Sequence, residues 1–198
     1  LSNSKKKVYT NITFVDIAGL VKGASKGEGL GNKFLSHIRE VDAIIHLVRC
    51  FESDKITHVN AKINPQEDLE TIKTEIILSD IDVIQKKLDK GKKKLLEEKE
   101  VIILEEKLQK LNEGNEIKIN DAKENKFLSN LGLLSIKPKI IVCNVDEDSL
   151  AEGNNFTESV KNKYPNEKIV TICADIEDQI MGLDSSERET FMKEIGLN

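Results

Sequence analysis

Aromatic side chains are scarce in this sequence: tryptophan is absent, and phenylalanine and tyrosine together make up 4% of the residues. The core must therefore be built from isoleucine, leucine and valine. No run of about 18 apolar residues occurs, so no membrane-spanning helix is expected. The three cysteines, Cys50, Cys143 and Cys173, are far apart, which argues against a disulfide framework and a zinc site. A reducing, cytoplasmic compartment is therefore expected.

Positive charge is not in excess either, because the formal net charge is −5. This balance argues against a protein that coats nucleic acid over its whole surface, and it indicates no DNA specificity. Hydrophobic residues make up 38% and charged residues 33% of the 198 positions. These values predict a packed core under a heavily charged surface, in one domain or in a domain that carries an insertion.

Short apolar runs alternate with helical patterns, which is typical of an α/β fold with a parallel sheet. The apolar runs are nearly continuous, as expected for parallel strands that are covered on both faces. Helices are predicted at 31–40 and at 155–164, and Pro165 ends the second one. The predicted strands are residues 12–15, 43–48, 139–143 and 168–173.

The connection between the second and third predicted strands is too long for a simple crossover. A βαβ unit takes about 30 residues, so roughly 60 of residues 49–138 are surplus. Asn64 and Pro65 are typical of a helix start, and apolar residues then recur three and four positions apart. We predict an antiparallel coiled-coil hairpin over 65–132, inserted into an α/β core made of 1–64 and 133–198. Simple packing of these helices on the sheet is the alternative.

An aspartate follows the first predicted strand, and a glycine comes three positions later, as Asp16 and Gly19. In P-loop nucleoside triphosphatases such an aspartate holds Mg²⁺, usually through water, and the glycine amide meets the γ-phosphate. Alone, the tetrapeptide is also compatible with an ordinary turn. The segment that follows is rich in glycine and is predicted to be a switch loop that responds to the nucleotide. The residues predicted to belong to this switch loop are Leu20, Gly23, Gly27, Gly29 and Gly31.

Residues 14–51 resemble the Obg-like ATPase (YchF) family of TRAFAC P-loop GTPases almost throughout, from F-V-D-I-A-G-L to A-I-I-H-L-V-R-C-F. The resemblance continues through Asn64-Pro65, Lys137-Pro138-Lys139 and Ile195-Gly196-Leu197. It implies a Ras-like core with a coiled-coil insertion, a C-terminal TGS domain, nucleotide hydrolysis and association with ribosomes. The sequence contains neither a G-x-x-x-x-G-K-[ST] loop nor a TGS domain. It is therefore interpreted as a core piece that is inactive without the phosphate-binding loop.

The third predicted strand ends in Asn144-Val145-Asp146-Glu147, where a GTPase carries N-K-x-D. Val145 replaces the lysine, and Glu147 replaces the aspartate that accepts two hydrogen bonds from guanine. The longer side chain displaces the carboxylate by about 1.5 Å, which spoils that contact. Asn144 can engage the N6 amine and N7 of adenine, so ATP is favoured over GTP. For this motif, an acidic turn without a ligand is the alternative. Ala174 lies where GTPases carry S-A-K, and its backbone is predicted to flank the base.

Leu20 occupies the position of the glutamine that orients water in Ras-like proteins, and an isobutyl group cannot orient water. Among the three histidines, His58 is the candidate catalytic residue, although an exposed histidine without a role is equally compatible. A group of lysines near Gly91 predicts a contact with ribosomal RNA, because clustered positive charge neutralises phosphates. These are Lys86, Lys87, Lys90, Lys92, Lys93 and Lys94.

The sequence therefore predicts a cytoplasmic switch protein that binds and hydrolyses ATP, binds GTP more weakly, uses Mg²⁺ and associates with the ribosome. One alternative is a GTPase with degenerate base recognition. Another is a non-catalytic module that binds the ribosome or RNA and uses its α/β part as a scaffold. Asp16, Gly19 and Asn144 favour the first interpretation, because a scaffold does not need them.

Overall fold

The computed structural model describes residues 8, 10–16, 30–53, 62–91 and 96–194. These residues form a three-stranded sheet and seven α-helices, with one 3-10 turn after the second strand. Every helix in the described ranges is too short or too polar to cross a membrane. In chain order the elements are α1 (Leu30–Glu40), β1 (Ile44–Arg49), α2 (Pro65–Gly91), α3 (Glu98–Asn112), α4 (Ala122–Asn130), β2 (Lys139–Asn144), the 3-10 turn (Glu147–Ser149), α5 (Asn155–Lys163), β3 (Ile169–Ile172), α6 (Ala174–Met181) and α7 (Ser185–Glu194).

The strands lie in the order β1-β2-β3, and both neighbouring pairs are parallel. Val48 of β1 is paired with Cys143 of β2, which is paired with Thr171 of β3. Three of the four predicted strands are present, with each end within one residue of its predicted position. Because the strands are parallel, their carboxyl ends all lie at one edge of the sheet.

The prediction of a strand at residues 12–15 is wrong for this structure. Ile12 and Phe14 are each 76% exposed and Val15 is 52% exposed, so the apolar run lies at the surface. A strand needs a neighbour that supplies backbone hydrogen bonds. No strand in the described part of the chain pairs with this segment, and the sheet ends at β1.

One face of the sheet is covered by helices and carries a core of aliphatic side chains and thiols. Helices α2, α5 and α6 contribute Leu69, Val160 and Ile176 to it. The three cysteines are fully buried and act as small apolar side chains, as their positions at strand ends predict. The members of this core are Val48, Cys50, Leu69, Ile141, Cys143, Val145, Val160, Cys173, Ile176 and Ile180.

The other face of the sheet, called here the open face, is apolar and exposed. Ile45 and Leu47 are 52% and 60% exposed, and Ile140 and Val170 are 37% and 46% exposed. Side chains alternate along a strand, and Ile45 is paired with Ile140, so these residues lie on one side. The sequence predicted cover on both faces, whereas helices in the described part of the chain cover only one.

Helix α2 begins at the predicted residue and connects the sheet to α3 and α4. The Glu67 amide donates to Asn64 Oδ1 at 3.2 Å, which caps the helix start. The second half of α2 packs against α3 and α4 around a separate core that contains Ile84, Leu104 and Leu128. Helices α2 and α3 have 27 and 15 residues. A projecting coiled coil with the bounds 65–132 remains a prediction.

Two buried polar contacts hold these helices in place. Asp80 of α2 is fully buried and accepts hydrogen bonds from the Leu134 amide at 2.9 Å and from the Ser135 amide at 2.9 Å. Lys107 of α3 is paired with Glu124 of α4 at 2.7 Å, and both side chains are almost inaccessible to solvent. The first contact joins segments that are distant in sequence and the second joins consecutive helices, so each contributes to the orientation of the helical cluster.

Candidate functional site

The carboxyl edge of the sheet brings together the ends of β1, β2 and β3. Arg49 is paired with Asn144, and Asn144 is paired with Ile172, which immediately precedes Cys173 and Ala174. In open parallel α/β sheets, ligands bind in the crevice outside this edge. The residues that the sequence predicts at the ends of the third and fourth strands thus lie side by side.

Asn144 and Ala174 are in direct contact at this edge. The Ala174 amide donates a hydrogen bond to Asn144 Oδ1 at 2.9 Å. Because the donor is a backbone N–H, the oxygen of the Asn144 carboxamide must be the atom that points at α6. The Nδ2 group of Asn144 donates to no protein atom in the described ranges, so it remains a free donor for a ligand.

Val145 and Glu147 have different surroundings, although the sequence predicts both as nucleotide-binding residues. The Val145 side chain is 2% exposed and belongs to the sheet core, while its amide donates to Ile172 O at 2.8 Å. The side chain of Val145 therefore cannot contact a ligand at the edge, which corrects that part of the prediction. Glu147 is exposed at the start of the 3-10 turn, and its Oε1 accepts a hydrogen bond from Gln179 Nε2 at 3.3 Å.

Asn154 supports this edge and was not identified from the sequence. Its Oδ1 caps α5 by accepting from the Phe156 and Thr157 amides, each at 3.1 Å. Its Nδ2 donates to Cys50 O at 2.7 Å and to Ser149 Oγ at 3.2 Å. One side chain therefore joins the end of β1, the 3-10 turn and α5. The asparagine before a helix start was the available signal, since asparagine is a preferred N-cap.

Arg49 is a second supporting residue that the sequence analysis missed. Its Nε donates to Phe51 O at 3.0 Å, and its Nη2 donates to Ser53 O at 3.2 Å. The guanidinium lies 4.8 Å from the centre of the Phe51 ring, within range of a cation–π contact. Arg49 therefore shapes the segment that leaves β1, and the positive charge stays close to the strand end.

The cysteines near this edge are not suited to act as nucleophiles. A hydrogen bond with Cys143 and burial both raise the pKa of the Cys50 thiol. A raised pKa keeps the group protonated, and the thiolate is the reactive form. The full burial of Cys50 and Cys143 also denies access to a substrate. The same hydrogen bond lowers the pKa of the Cys143 thiol, so for Cys143 it is the full burial that makes the residue structural.

The predicted metal and switch residues are described only in part. Asp16 is exposed and lies outside any helix or strand. Gly31 lies in the first turn of α1, which begins at Leu30, in agreement with the helix predicted at 31–40; its role in the switch stays a prediction. The described ranges contain no group of three or more His, Cys, Asp or Glu side chains that could hold a metal ion. The remaining predicted residues lie outside the described residues: Gly19, Leu20, Gly23, Gly27, Gly29 and His58.

One exposed carboxylate is nevertheless compatible with Mg²⁺. This ion keeps several waters and is commonly bound through one or two carboxylates together with substrate phosphates. Asp16 supplies such a carboxylate, and its exposure leaves room for a water between the oxygen and the ion. This single carboxylate is therefore compatible with Mg²⁺ only if most ligands of the ion come from elsewhere.

A cavity of about 40 Å³ lies between α2 and the amino-terminal ends of the strands, far from Asn144. His46 and Lys139 contribute to its lining. Burial, and then the charge of Lys139, lower the pKa of His46 to about 4, so this histidine is neutral at physiological pH. Each enclosed water needs about 10–15 Å³ by this measure, so the cavity has room for about three waters and is too small for a nucleotide.

Comparison with known proteins agrees with the motifs at this edge. Residues 2–87 match the protein family described as 50S ribosome-binding GTPase. The ribosome-binding ATPase YchF of Bacillus subtilis (strain 168) is 42% identical over 209 aligned positions, which cover 100% of this chain and 57% of that protein. Its counterpart in Escherichia coli O157:H7 is 43% identical over 202 positions, covering 98% of this chain and 55% of that protein. The chain thus spans little more than half the length of these relatives.

A solved structure extends the likeness to the fold. The Schizosaccharomyces pombe YchF GTPase matches with a TM-score of 0.78 and 30% identity, over 92% of this chain and 53% of that one. The parallel sheet with its helices fits a Ras-like P-loop core. Sequence identity above 40% over nearly the whole chain, together with this structural match, leads to one conclusion. The chain belongs to the Obg-like ATPase (YchF) family of P-loop GTPases.

Proposed function

We propose that the whole protein binds ATP in preference to GTP at the carboxyl edge of the sheet and hydrolyses it as part of a switch cycle. The contact between Asn144 and Ala174 is the main support, because it joins the two predicted base-reading segments at 2.9 Å. It also orients the Asn144 carboxamide before any ligand arrives. A preorganised donor at the edge binds a purine N7 without a further loss of side-chain freedom.

Base choice then depends on Glu147. The free Nδ2 donor of Asn144 suits N7, which is an acceptor in both adenine and guanine. Discrimination must come from groups that meet the remaining base edge, and Glu147 is the exposed acid in the matching position. The names of the relatives differ on this point: the bacterial proteins are called ATPases and the yeast protein a GTPase. A GTPase with altered base recognition therefore remains the competing hypothesis.

The phosphate and metal side of the site is proposed from the sequence. Asp16 would hold Mg²⁺ through water, and Gly19 would meet the γ-phosphate. The bound ion would neutralise charge that develops on the phosphates. The segment from Leu20 to Gly29 would change conformation with the nucleotide, and His58 would act on the attacking water. The phosphate-binding loop would come from a part of the whole protein that this chain does not contain.

Further parts of the proposal concern architecture and partner. Residues 1–64 and 133–198 would form the nucleotide-binding domain, and 65–132 the inserted helices. Additional elements of the whole protein would cover the open face, since parallel sheets are normally covered on both sides. The lysines around Gly91 would contact ribosomal RNA in the cytoplasm.

Replacing Lys92, Lys93 and Lys94 by Gln should weaken ribosome co-sedimentation and reduce its salt dependence; an unchanged salt slope would contradict this contact.

The nucleotide proposal is tested by calorimetric titration of the full-length protein with ATP and with GTP. We expect tighter binding of ATP, and we expect Asn144→Ala to weaken both nucleotides by about tenfold, because one hydrogen bond and the edge geometry are lost. Asn130→Ala, at the exposed end of α4, is the matched control and should change neither affinity. Tighter binding of GTP would overturn the preference, and an unaffected Asn144→Ala would overturn the base site.

The structure also decides which specificity variant is informative. A lysine at position 145 would have to enter the core, because Val145 is 2% exposed. Burying an unpaired charge destabilises the fold, so Val145→Lys would confuse stability with selectivity. Glu147→Asp changes only an exposed side chain and should raise GTP affinity relative to ATP in the same titration.

A further inference from the structure

Helix α6 contacts both of the side chains that are proposed to read the base. Its first residue, Ala174, binds Asn144 through the backbone amide. Gln179, five residues further along, donates from Nε2 to Glu147 Oε1 at 3.3 Å. Five residues of α-helix span about 7.5 Å along the axis. The Glu147 carboxylate is therefore hydrogen-bonded by a residue of α6 whose backbone lies more than one turn beyond the helix start that flanks the edge.

We propose that Gln179 is a positioning residue that keeps the Glu147 carboxylate beside α6 and thereby disfavours guanine. This inference rests on the base site proposed above. Guanine presents two adjacent donors, N1–H and the 2-amino group, and a carboxylate stabilises bound GTP when it accepts a hydrogen bond from both. Adenine has an acceptor at N1, so a carboxylate at the same place would repel ATP. When the carboxylate is held away from the base, it neither stabilises bound GTP nor repels bound ATP.

The geometry distinguishes this contact from an ordinary surface pair. Gln109 and Glu113 form a comparable hydrogen bond at 3.1 Å, but they lie on consecutive turns at the end of α3. Gln179 and Glu147 are 32 positions apart and connect α6 to the turn after β2. The turn itself is held by Asp146, whose Oδ1 accepts from the Ser149 amide at 3.0 Å. Because the backbone of the turn is held, Glu147 can move mainly by rotation of its side chain, and the hydrogen bond from Gln179 restricts that rotation.

The test compares Gln179→Leu with Gln109→Leu in the full-length protein. Leucine keeps helix propensity and similar size but removes the hydrogen-bonding amide. The readout is the ratio of the ATP and GTP dissociation constants, which a general loss of stability does not change. We expect Gln179→Leu to reduce the preference for ATP by about threefold to tenfold, mainly through tighter GTP binding. Gln109→Leu should leave the ratio at its original value.

A second background shows whether the effect passes through Glu147. In a Glu147→Ala protein, the further change Gln179→Leu should no longer alter the ratio, because the carboxylate that it positions is absent. An equal effect in both backgrounds would overturn the positioning role.

The outcome for Asn144→Ala separates this inference from the proposed function. If Asn144→Ala weakens both nucleotides but Gln179→Leu leaves the ratio unchanged, the base site stands and the role of Gln179 is refuted. If Asn144→Ala has no effect, the base site is misplaced and the role of Gln179 is refuted with it.

Discussion

Asp80 offers a sharp test of how the helical cluster is attached to the sheet. It lies in the middle of α2, and its carboxylate accepts hydrogen bonds from the Leu134 and Ser135 amides and from Ser135 Oγ at 2.6 Å. Leu134 and Ser135 precede β2 by only a few residues. A single side chain therefore ties α2 to the segment that leads into the central strand.

The expected cost of Asp80→Ala follows from the groups that lose their acceptor. The Leu134 amide is buried, and an unsatisfied buried N–H costs about 1–3 kcal/mol. The two groups of Ser135 are partly exposed, so water replaces part of their loss. Burial raises the pKa of the Asp80 carboxyl, although the hydrogen bonds oppose this, so removing the acid also relieves some desolvation. The net loss in the free energy of unfolding should be about 2–4 kcal/mol.

Asp82→Ala in the same helix is the matched control. Asp82 is paired with Lys86 at 2.6 Å, but both side chains are more than half exposed. Exposed pairs one turn apart contribute only about 0.3–0.5 kcal/mol. Urea unfolding should therefore separate the two variants, and hydrogen exchange at the Leu134 amide should accelerate only in Asp80→Ala. Equal destabilisation by the two variants, or unchanged exchange at Leu134, would refute the reasoning.

Two further predictions concern buried ionisable groups. Burial is the main reason that the pKa of His46 is lowered to about 4. Between about pH 6.5 and pH 4 the unfolded chain therefore binds a proton that the folded chain does not bind. The free energy of unfolding falls as the pH falls through this window. Urea unfolding should show a loss of about 2 kcal/mol between about pH 7 and pH 5 that His46→Leu abolishes; an unchanged slope would contradict this. Lys107→Met should cost about 3–5 kcal/mol, because it leaves Glu124 charged and buried. Adding Glu124→Leu should recover much of that loss, and a double variant no more stable than the single one would show that the pair is not the cause.

The amino-acid sequence alone was sufficient for features that depend on local pattern. Continuous apolar runs predicted β1, β2 and β3, and three- and four-residue spacing predicted α2 and α3. The Asn-Pro pair marked the start of α2 at the observed residue. The parallel arrangement followed from the alternation of strands and helices. In the structure Asn144 and Ala174 meet at the carboxyl edge and are joined by a hydrogen bond, while their role in reading the base stays a prediction.

Features that depend on a distant partner were decided only by the tertiary structure. Residues 12–15 have the composition of a strand, but pairing requires a neighbouring strand, and none meets them in the described part of the chain. Val145 and Glu147 are two positions apart in one motif, yet the first is buried in the sheet core and the second is exposed. Asp80 meets Leu134 across 54 positions, and Gln179 meets Glu147 across 32. A local sequence pattern carries no information about such contacts, because they exist only once the helices have packed on the sheet.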